Sequence, residues 1–283
     1  MHNNEQIEYW NGDAGKRWAQ EDDVMARLLQ PICEALLDHA DIAHCRNALD
    51  VGCGGGSQSL LLAQRLGHGA NILGVDISAP MLEVAQSKCA LVGETTASMQ
   101  FLQADAATHA FQPGSFDLLF SRFGVMFFDE PTAAFSNMRL AMTDNAQVAF
   151  CCWQSLRDND WTLLPLQAAL RHVEMPEAPS ANAPGPFAFA DPEYLRRIMK
   201  AAGFGDIDIH SHNTNISIGQ GPDLSSCVHE LARIGPVSRL LVGADDTLLE
   251  KVFGAMEEVL APYYNGSSLV LPAAIWFVKA RAS

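Results

Sequence analysis

The sequence predicts an α/β protein built on a doubly wound, mostly parallel sheet of seven strands. Three observations support this fold class. Short apolar segments alternate with segments of helical periodicity. A glycine-rich turn follows the first apolar segment, and an acidic residue lies at the end of each of the first two apolar segments. Alternating strands and helices favour parallel β-α-β units, which gather their ligand-binding residues at one edge of the sheet. We expect this core to comprise residues 44–213 and 268–283.

The first predicted strand, Ala48 to Val51, leads into the most informative turn of the chain. The turn contains Gly52, Cys53, Gly54, Gly55 and Gly56, and a predicted helix follows from Ser57 to Leu66. Glycines let a backbone turn sharply and let a ligand lie against it. The free N–H groups that begin a helix can bind that ligand. The turn departs from the dinucleotide motif G-x-G-x-x-G, because Ser57 occupies the third glycine position.

Asp50 narrows the choice of ligand further. The Asp50 carboxylate would repel a pyrophosphate, since both are negatively charged. It would attract a ligand that has a cationic amino-acid tail and no phosphate. S-adenosylmethionine has such a tail and a sulfonium as well. The alternative is that Asp50 serves as a cap that faces the following helix.

Three later strands continue the pattern. They are Asn71 to Asp76, Met99 to Leu102 (followed by Asp105 and Ala106) and Phe116 to Phe120, which runs into 121–128, Ser-Arg-Phe-Gly-Val-Met-Phe-Phe. An acid that ends the second strand is placed to accept hydrogen bonds from ribose hydroxyls. A helix begins near Ser78 and contains Met81, with Gly93 as its predicted stop. The glycine turn and these three strand ends make four features. In their order and spacing, they resemble motifs of the class I S-adenosylmethionine-dependent methyltransferases.

The resemblance implies a Rossmann-like methyltransferase fold, with the seventh strand antiparallel beside the fifth. In that family the residue at Asp105 meets the adenine amino group, Ala106 donates its N–H to the ring, and segment 121–128 lies beneath the methyl group. The implied cofactor contacts are Trp18, Asp50, Gly52, Cys53, Gly54, Gly56, Asp76, Ile77, Met81, Asp105, Ala106 and Ser121. Segment 121–128 looks like small-molecule methyltransferases of the ubiquinone and menaquinone C-methyltransferase-like group. The implied reaction is in-line methyl transfer to an oxygen, nitrogen or carbon of a small organic acceptor.

The remaining core elements follow in order. They are a helix from near Pro131 to Met142, a turn at 143–145, a strand from Gln147 to Trp153, a helix from Asp191 to Lys200, and strands at 206–212 and 274–278.

Three segments are predicted to lie outside the sheet. Residues 1–43 form a helical arm, and the resemblance implies that its Trp10 and Trp18 close the cofactor pocket; packing on the sheet edge is the alternative. Residues 174–190, rich in Pro and Ala, form a surface excursion. Residues 214–267 contain two or three helices at 223–264, which the resemblance implies form a lid over the acceptor.

No catalytic residue is fixed by the sequence. Arg122 is equally a substrate or cofactor contact or a surface salt-bridge partner. The candidate bases are His172, His210, His212 and His229. Whether a base is needed depends on the acceptor. Two other functions stay open: a non-catalytic module that binds the same cofactor, and a nicotinamide-dependent oxidoreductase.

Composition limits the partners. Eighteen basic against thirty-three acidic residues give a net charge of −15, which opposes binding to nucleic acid. The seven cysteines lack the paired spacing of zinc sites, so we expect no metal. The amino terminus does not read as a signal peptide and no apolar run would span a bilayer. We therefore expect a cytoplasmic monomer or homodimer that acts on a small molecule.

Overall fold

The computed structural model describes residues 4–91, 97–174, 182–219, 221 and 223–283. Its sheet has the strand order β3-β2-β1-β4-β5-β7-β6. The strands are β1 Asn47–Val51, β2 Asn71–Asp76, β3 Ser98–Gln103, β4 Phe116–Arg122, β5 Met142–Trp153, β6 Phe204–Ile218 and β7 Leu269–Ala282. The pairs β1–β2, β1–β4, β2–β3 and β4–β5 are all parallel. The predicted seven-stranded, doubly wound sheet is thus confirmed.

Helices connect these strands. They are α1 Asn4–Asn11, α2 Asp13–Gln20, α3 Asp22–His39, α4 Ser57–Leu66, α5 Ala79–Leu91, α6 Pro131–Ala141, α7 Asp160–Ala169, α8 Pro192–Ala201, α9 Leu224–Arg233, α10 Gly235–Leu240 and α11 Asp246–Leu260. Short 3-10 turns lie at Val125–Phe127, Leu156–Asp158 and Ala261–Tyr263. The predicted stop of α5 at Gly93 lies outside the described residues.

The strand order fixes where a ligand can bind. β1 pairs with β2 on one side and with β4 on the other, so the chain reverses its direction of travel through the sheet at β1. In open parallel sheets, ligands bind beyond the carboxyl ends of the strands at such a reversal. The glycine turn after β1 lies at this point.

Three strands differ from the sequence prediction. The predicted turn at 143–145 is part of β5, and Asn145 has a φ of 58°. The register jumps there, since Phe116 pairs with Met142 but Leu118 pairs with Gln147. The regular pairing of the two strands is therefore interrupted between these positions. β6 and β7 are also longer than predicted. Along β6, exposed polar residues alternate with covered ones, so the sequence pattern does not show the full length of that strand.

The chain divides into two compact units. The first unit contains Met1–Trp153, Asn182–Ser211 and Trp276–Ser283, and the second contains Gln154–Ala181 and His212–Ile275. In the first unit, α3 packs against α4 and β5 through a buried apolar face. The predicted excursion 174–190 is described only in part, and at its end Ala188 and Phe189 are buried.

In the second unit, α11 packs against α7 and α9. Asn159 is fully buried there, donates from Nδ2 to the Ala274 carbonyl and accepts the Ala274 N–H at 3.0 Å. The predicted helices at 223–264 are present as α9, α10 and α11.

Candidate cofactor site

The glycine turn approaches the segment after β4 closely. Gly52, Gly54 and Gly56 have φ values of 66°, 54° and 79°, a region that side-chain-bearing residues rarely adopt. A Cβ at Gly52 would lie 2.6 Å from the Gly124 Cα. Gly52 also donates its N–H to the Val75 carbonyl at 2.8 Å. The turn therefore packs backbone to backbone where β1, β2 and β4 end.

Asp76 joins the end of β2 to this turn. Its Oδ2 accepts the Gly54 N–H and its Oδ1 accepts the Ser78 N–H, both at 2.9 Å. Burial raises the pKa of its carboxyl, and these backbone donors oppose that rise. A carboxylate has about four acceptor positions, so each oxygen can accept a further hydrogen bond. Asp76 is thus held rigidly and keeps the capacity to bind ligand hydroxyls.

Asp50 points toward α4. The side chain is fully buried, and its two oxygens accept hydrogen bonds from Gln58 Nε2 and Ser59 Oγ, each at 2.5 Å. Burial raises the pKa of Asp50 to about 6, against the two hydrogen bonds and the charge of Arg122. These are the contacts of the helix-facing alternative. Direct contact of Asp50 with a cofactor stays a prediction.

Asp105 and Ala106 follow β3, the strand next to β2. Asp105 is half-buried, and its Oδ1 accepts the Ala107 N–H at 2.9 Å. Ala106 is buried, and its carbonyl accepts a hydrogen bond from Asn137 Nδ2 at 2.9 Å. Because β2 and β3 are parallel neighbours, the acids that follow them share one edge of the sheet. Asn137, which sequence reasoning missed, fixes the loop after β3.

Ser121 and Phe123 shape the segment after β4. Ser121 is fully buried, donates from Oγ to the Val51 carbonyl at 2.7 Å and accepts the Gly124 N–H at 3.2 Å. Phe123 has a φ of 64°, and its ring stacks on Trp153 with centroids 4.1 Å apart and planes 9° apart. Strained non-glycine residues concentrate at functional sites, where neighbouring contacts hold them in place.

Arg122 ends β4, and two of its three guanidinium nitrogens are unpaired. Its Nε and Nη1 are buried and have no hydrogen-bond partner among the described residues. Its positive charge lowers the pKa values of Asp50 and Cys151 against the larger effect of burial. A buried N–H group without a partner is costly, and an anionic group of a ligand would relieve that cost. A contact between Arg122 and a ligand stays a prediction.

The amino-terminal arm lies against the end of β2. Asn11 donates from Nδ2 to the Ile77 carbonyl at 2.9 Å and accepts the Ala79 N–H at 3.0 Å. The Trp10 ring lies 5.7 Å from Trp18 and 5.6 Å from Phe127, centroid to centroid. Aromatic contacts of this geometry stabilise the packing of the arm.

Two further predicted cofactor contacts are Cys53, within the turn, and Met81, on α5. Cys53 and Met81 are buried, and burial raises the pKa of the Cys53 thiol well above its ordinary value. A thiol held in its neutral form is a poor nucleophile, so Cys53 acts as a small apolar residue here. The Met81 Cε lies 3.4 Å from the position of a Cβ at Gly54, in ordinary van der Waals contact.

The predicted histidine bases lie on β6 or in the second unit. His210 is on the edge strand β6, in the part of that strand that belongs to the first unit, and stacks on His39 with centroids 5.2 Å apart. His172 and His229 are exposed in the second unit, and His229 Nδ1 lies 2.7 Å from the Ser225 carbonyl of its own helix. Their role as bases, and that of His212, stays a prediction. Within the described ranges, no group of three or more His, Cys, Asp or Glu could hold a metal ion.

Together, the reversal at β1, the glycine turn and the acids that end β2 and β3 define a Rossmann-like fold that binds a nucleoside cofactor at the sheet edge. Residues 49–150 match the family model described as a methyltransferase domain. The chain therefore contains a methyltransferase domain, as its motifs predict.

The chain is also similar to three named proteins. The chain is 32% identical over 190 residues to nocamycin O-methyltransferase of Saccharothrix syringae, a match that covers 64% of this chain and 66% of that protein. It is 35% identical over 111 residues to the ubiquinone biosynthesis O-methyltransferase of Methylococcus capsulatus, covering 38% and 44%. Among solved structures it is similar in fold to Haemonchus contortus phosphoethanolamine N-methyltransferase 2 in complex with S-adenosyl-L-methionine. That match has a TM-score of 0.57 and 16% identity, and it covers all of this chain and 60% of that one.

The chain thus spans just under two thirds of the nocamycin relative and less than half of the ubiquinone relative.

Proposed function

We propose that this protein transfers a methyl group from S-adenosylmethionine to a small organic acceptor. One observation carries the proposal: Asp76 accepts a hydrogen bond from Gly54 of the glycine turn. The neighbouring strand β3 leads to Asp105, so the two acids lie at adjacent strand ends. S-adenosylmethionine presents ribose hydroxyls and an adenine amino group, which are donors that need acceptors. Rigid carboxylates at two neighbouring strand ends provide those acceptors.

The charged residues nearby also fit this cofactor. Arg122 has two buried guanidinium nitrogens without partners, and a carboxylate such as that of the methionyl tail would pair with them. Asp50, whose pKa is raised to about 6, is mostly ionised at neutral pH and attracts a cationic tail. The glycine turn supplies a surface without side chains, against which the tail can lie.

When bound, S-adenosylmethionine supplies an electrophilic methyl group on a sulfonium. The residues of this chain contribute orientation and exclusion of water. Asp76 and Asp105 hold the nucleoside, and the stacked rings of Phe123 and Trp153 form an apolar wall after β4 and β5. A drier site favours a reaction in which positive charge is dispersed, and alignment lowers the barrier by several kcal/mol more, on the order of 5.

The finer features of the proposal rest on the sequence and the relatives. Two relatives are named as O-methyltransferases, which favours a hydroxyl acceptor. We retain residues 214–267 as a lid over the acceptor, and a cytoplasmic monomer or homodimer that does not bind nucleic acid, in keeping with the net charge of −15. None of the helices among the described residues has the length and apolar character needed to cross a membrane.

Calorimetric titration with S-adenosylmethionine, S-adenosylhomocysteine and NAD tests the proposal. We expect micromolar binding of the first two. The variant Asp76→Ala would lose the two charge-assisted hydrogen bonds proposed from the ribose hydroxyls, about 1.5–3 kcal/mol each. Its Kd for S-adenosylmethionine should therefore rise by 100-fold or more. Asp144→Ala is the matched control, because the Asp144 side chain is 98% exposed, and its Kd should not change.

Other results would point to other functions. Binding of NAD alone would replace the proposal by a nicotinamide-dependent oxidoreductase. Cofactor binding without turnover of any phenol, carboxylic acid or amine acceptor would favour a non-catalytic module. If none of the three compounds binds in the titration, the proposed cofactor site is refuted.

A further inference from the structure

Asp22 lies in the first turn of α3, yet its side chain is only 9% exposed. Its Oδ2 pairs with Nζ of Lys88 on α5. The same Nζ donates to Ser57 Oγ at 2.8 Å, and Ser57 is the first residue of α4. We call these three residues the latch. The latch therefore connects the amino-terminal arm to the helix that begins at the glycine turn.

Gly55 shows how closely the latch fits the turn. Gly52, Gly54 and Gly56 adopt positive φ values, whereas the φ of Gly55 lies outside that region. A Cβ at Gly55 would lie 1.9 Å from Asp22 Oδ1. Gly55 is thus required for a different reason from its neighbours: its missing side chain leaves room for the Asp22 carboxylate.

The arm has a second attachment to the same edge of the sheet. Ser78 Oγ donates to the Trp10 carbonyl at 2.7 Å, and Asn11 bonds to Ile77 and Ala79 after β2. The arm is therefore held at both the β1 and the β2 ends of the candidate cofactor site. Movement of the arm away from the turn must separate Asp22 from Lys88. Separating a largely buried ion pair is unfavourable, because each charge is left without its partner.

We propose that Asp22 and Lys88 are positioning residues that seat the arm on the glycine turn and thereby set the rate at which the cofactor leaves. The inference rests on the proposed function for the identity of that cofactor. The seating itself concerns only the residues of this chain, so it can be measured in the free protein.

The test compares Asp22→Asn with Asp23→Asn. The control removes the same charge one residue away, from a side chain that is 88% exposed and lies 3.8 Å from the same Lys88 nitrogen. In the free protein, amide hydrogen exchange of residues 4–20 should be at least tenfold faster in Asp22→Asn and within twofold of wild type in Asp23→Asn. Dissociation of S-adenosylhomocysteine, followed by stopped-flow fluorescence, should accelerate by about tenfold in the first variant only.

Two further variants separate seating from general stability. Gly55→Ala keeps every charge but places a methyl group where the Asp22 carboxylate lies, so it should reproduce both effects. Lys88→Arg keeps a positive charge that can hydrogen-bond to the Asp22 carboxylate, so both measurements should stay within threefold of wild type. If Asp22→Asn fails to fold, Gly55→Ala decides the question by the same two measurements.

The inference is overturned if exchange of the arm in Asp22→Asn matches that of Asp23→Asn. It is also overturned if the arm exchanges faster while S-adenosylhomocysteine leaves at the wild-type rate. A wild-type chain that binds neither S-adenosylmethionine nor S-adenosylhomocysteine would instead refute the proposed function, and the role in cofactor release with it.

Discussion

Replacing the buried Asp50 by asparagine should change how the stability of the protein depends on pH. Burial raises the pKa of Asp50 from 3.8 to about 6. The folded state therefore holds this proton more tightly than the unfolded state. The stability that the neutral carboxyl contributes is complete below pH 3.8 and is lost as the pH rises through about 6. The variant Asp50→Asn has no such proton to lose.

The magnitude follows from the size of the shift. A change of about two pKa units corresponds to about 3 kcal/mol, and full burial of the side chain means that solvent does not screen this effect. In a domain of this size, 1 kcal/mol moves Tm by about 2–4 °C. Between pH 4 and pH 7, the Tm of wild type should thus fall by about 6–12 °C relative to that of Asp50→Asn. A constant offset from lost hydrogen bonds with Gln58 and Ser59 cancels in this comparison.

Differential scanning calorimetry at pH 4, 5, 6, 7 and 8 measures this difference. The matched control is Asp38→Asn, since Asp38 pairs with Arg65 at 2.7 Å but is 70% exposed, and its Tm offset from wild type should stay nearly constant with pH. A Tm difference between wild type and Asp50→Asn that is equally constant would refute the reasoning. Asp50 would then titrate as an ordinary carboxyl in spite of its burial.

Two further predictions concern the turn and the unpaired arginine. Gly52→Ala should lower stability by about 1 kcal/mol for its positive φ plus about 1–3 kcal/mol for collision with Gly124, and should abolish cofactor binding. Gly114→Ala, with a φ of 62° and open space around it, should show only the first cost; equal Tm losses in the two variants would contradict this account. Arg122→Met removes two buried nitrogens that have no hydrogen-bond partner among the described residues, so thermal denaturation should show an unchanged or higher Tm. Titration should show at least tenfold weaker binding of S-adenosylmethionine. A lower Tm with unchanged affinity would assign Arg122 a structural role instead.

The sequence predicted the elements around the cofactor site closely. The ends of α4 and β2 coincide with the prediction, because glycines and an aspartate bound short apolar runs there. The ends of β6 and β7 could not be found in this way. Polar residues occupy alternate positions of β6, and a strand with one open face is hard to separate from a loop by composition.

The site itself could be predicted only in its local parts. Asp76 and Gly54 are recognisable by their positions after strands. The pairing of Asp22 with Lys88 joins residues far apart in the chain, and nothing in the local pattern of either residue indicates a partner. The direction of the Asp50 side chain depends on Gln58 and Ser59, whose contacts become visible only when α4 is placed on the sheet.

The position of Asp22 against Gly55 also has an evolutionary consequence. In the run Gly54 to Gly56, the flanking glycines are required by their positive φ values. The middle glycine is required because Asp22 of the arm occupies the space of its side chain. In relatives that carry a shorter arm, or another residue in place of Asp22, selection for glycine at that middle position should relax, and alanine or serine should become acceptable there. The two positions should therefore vary together across the family, while the flanking glycines stay fixed whatever the length of the arm.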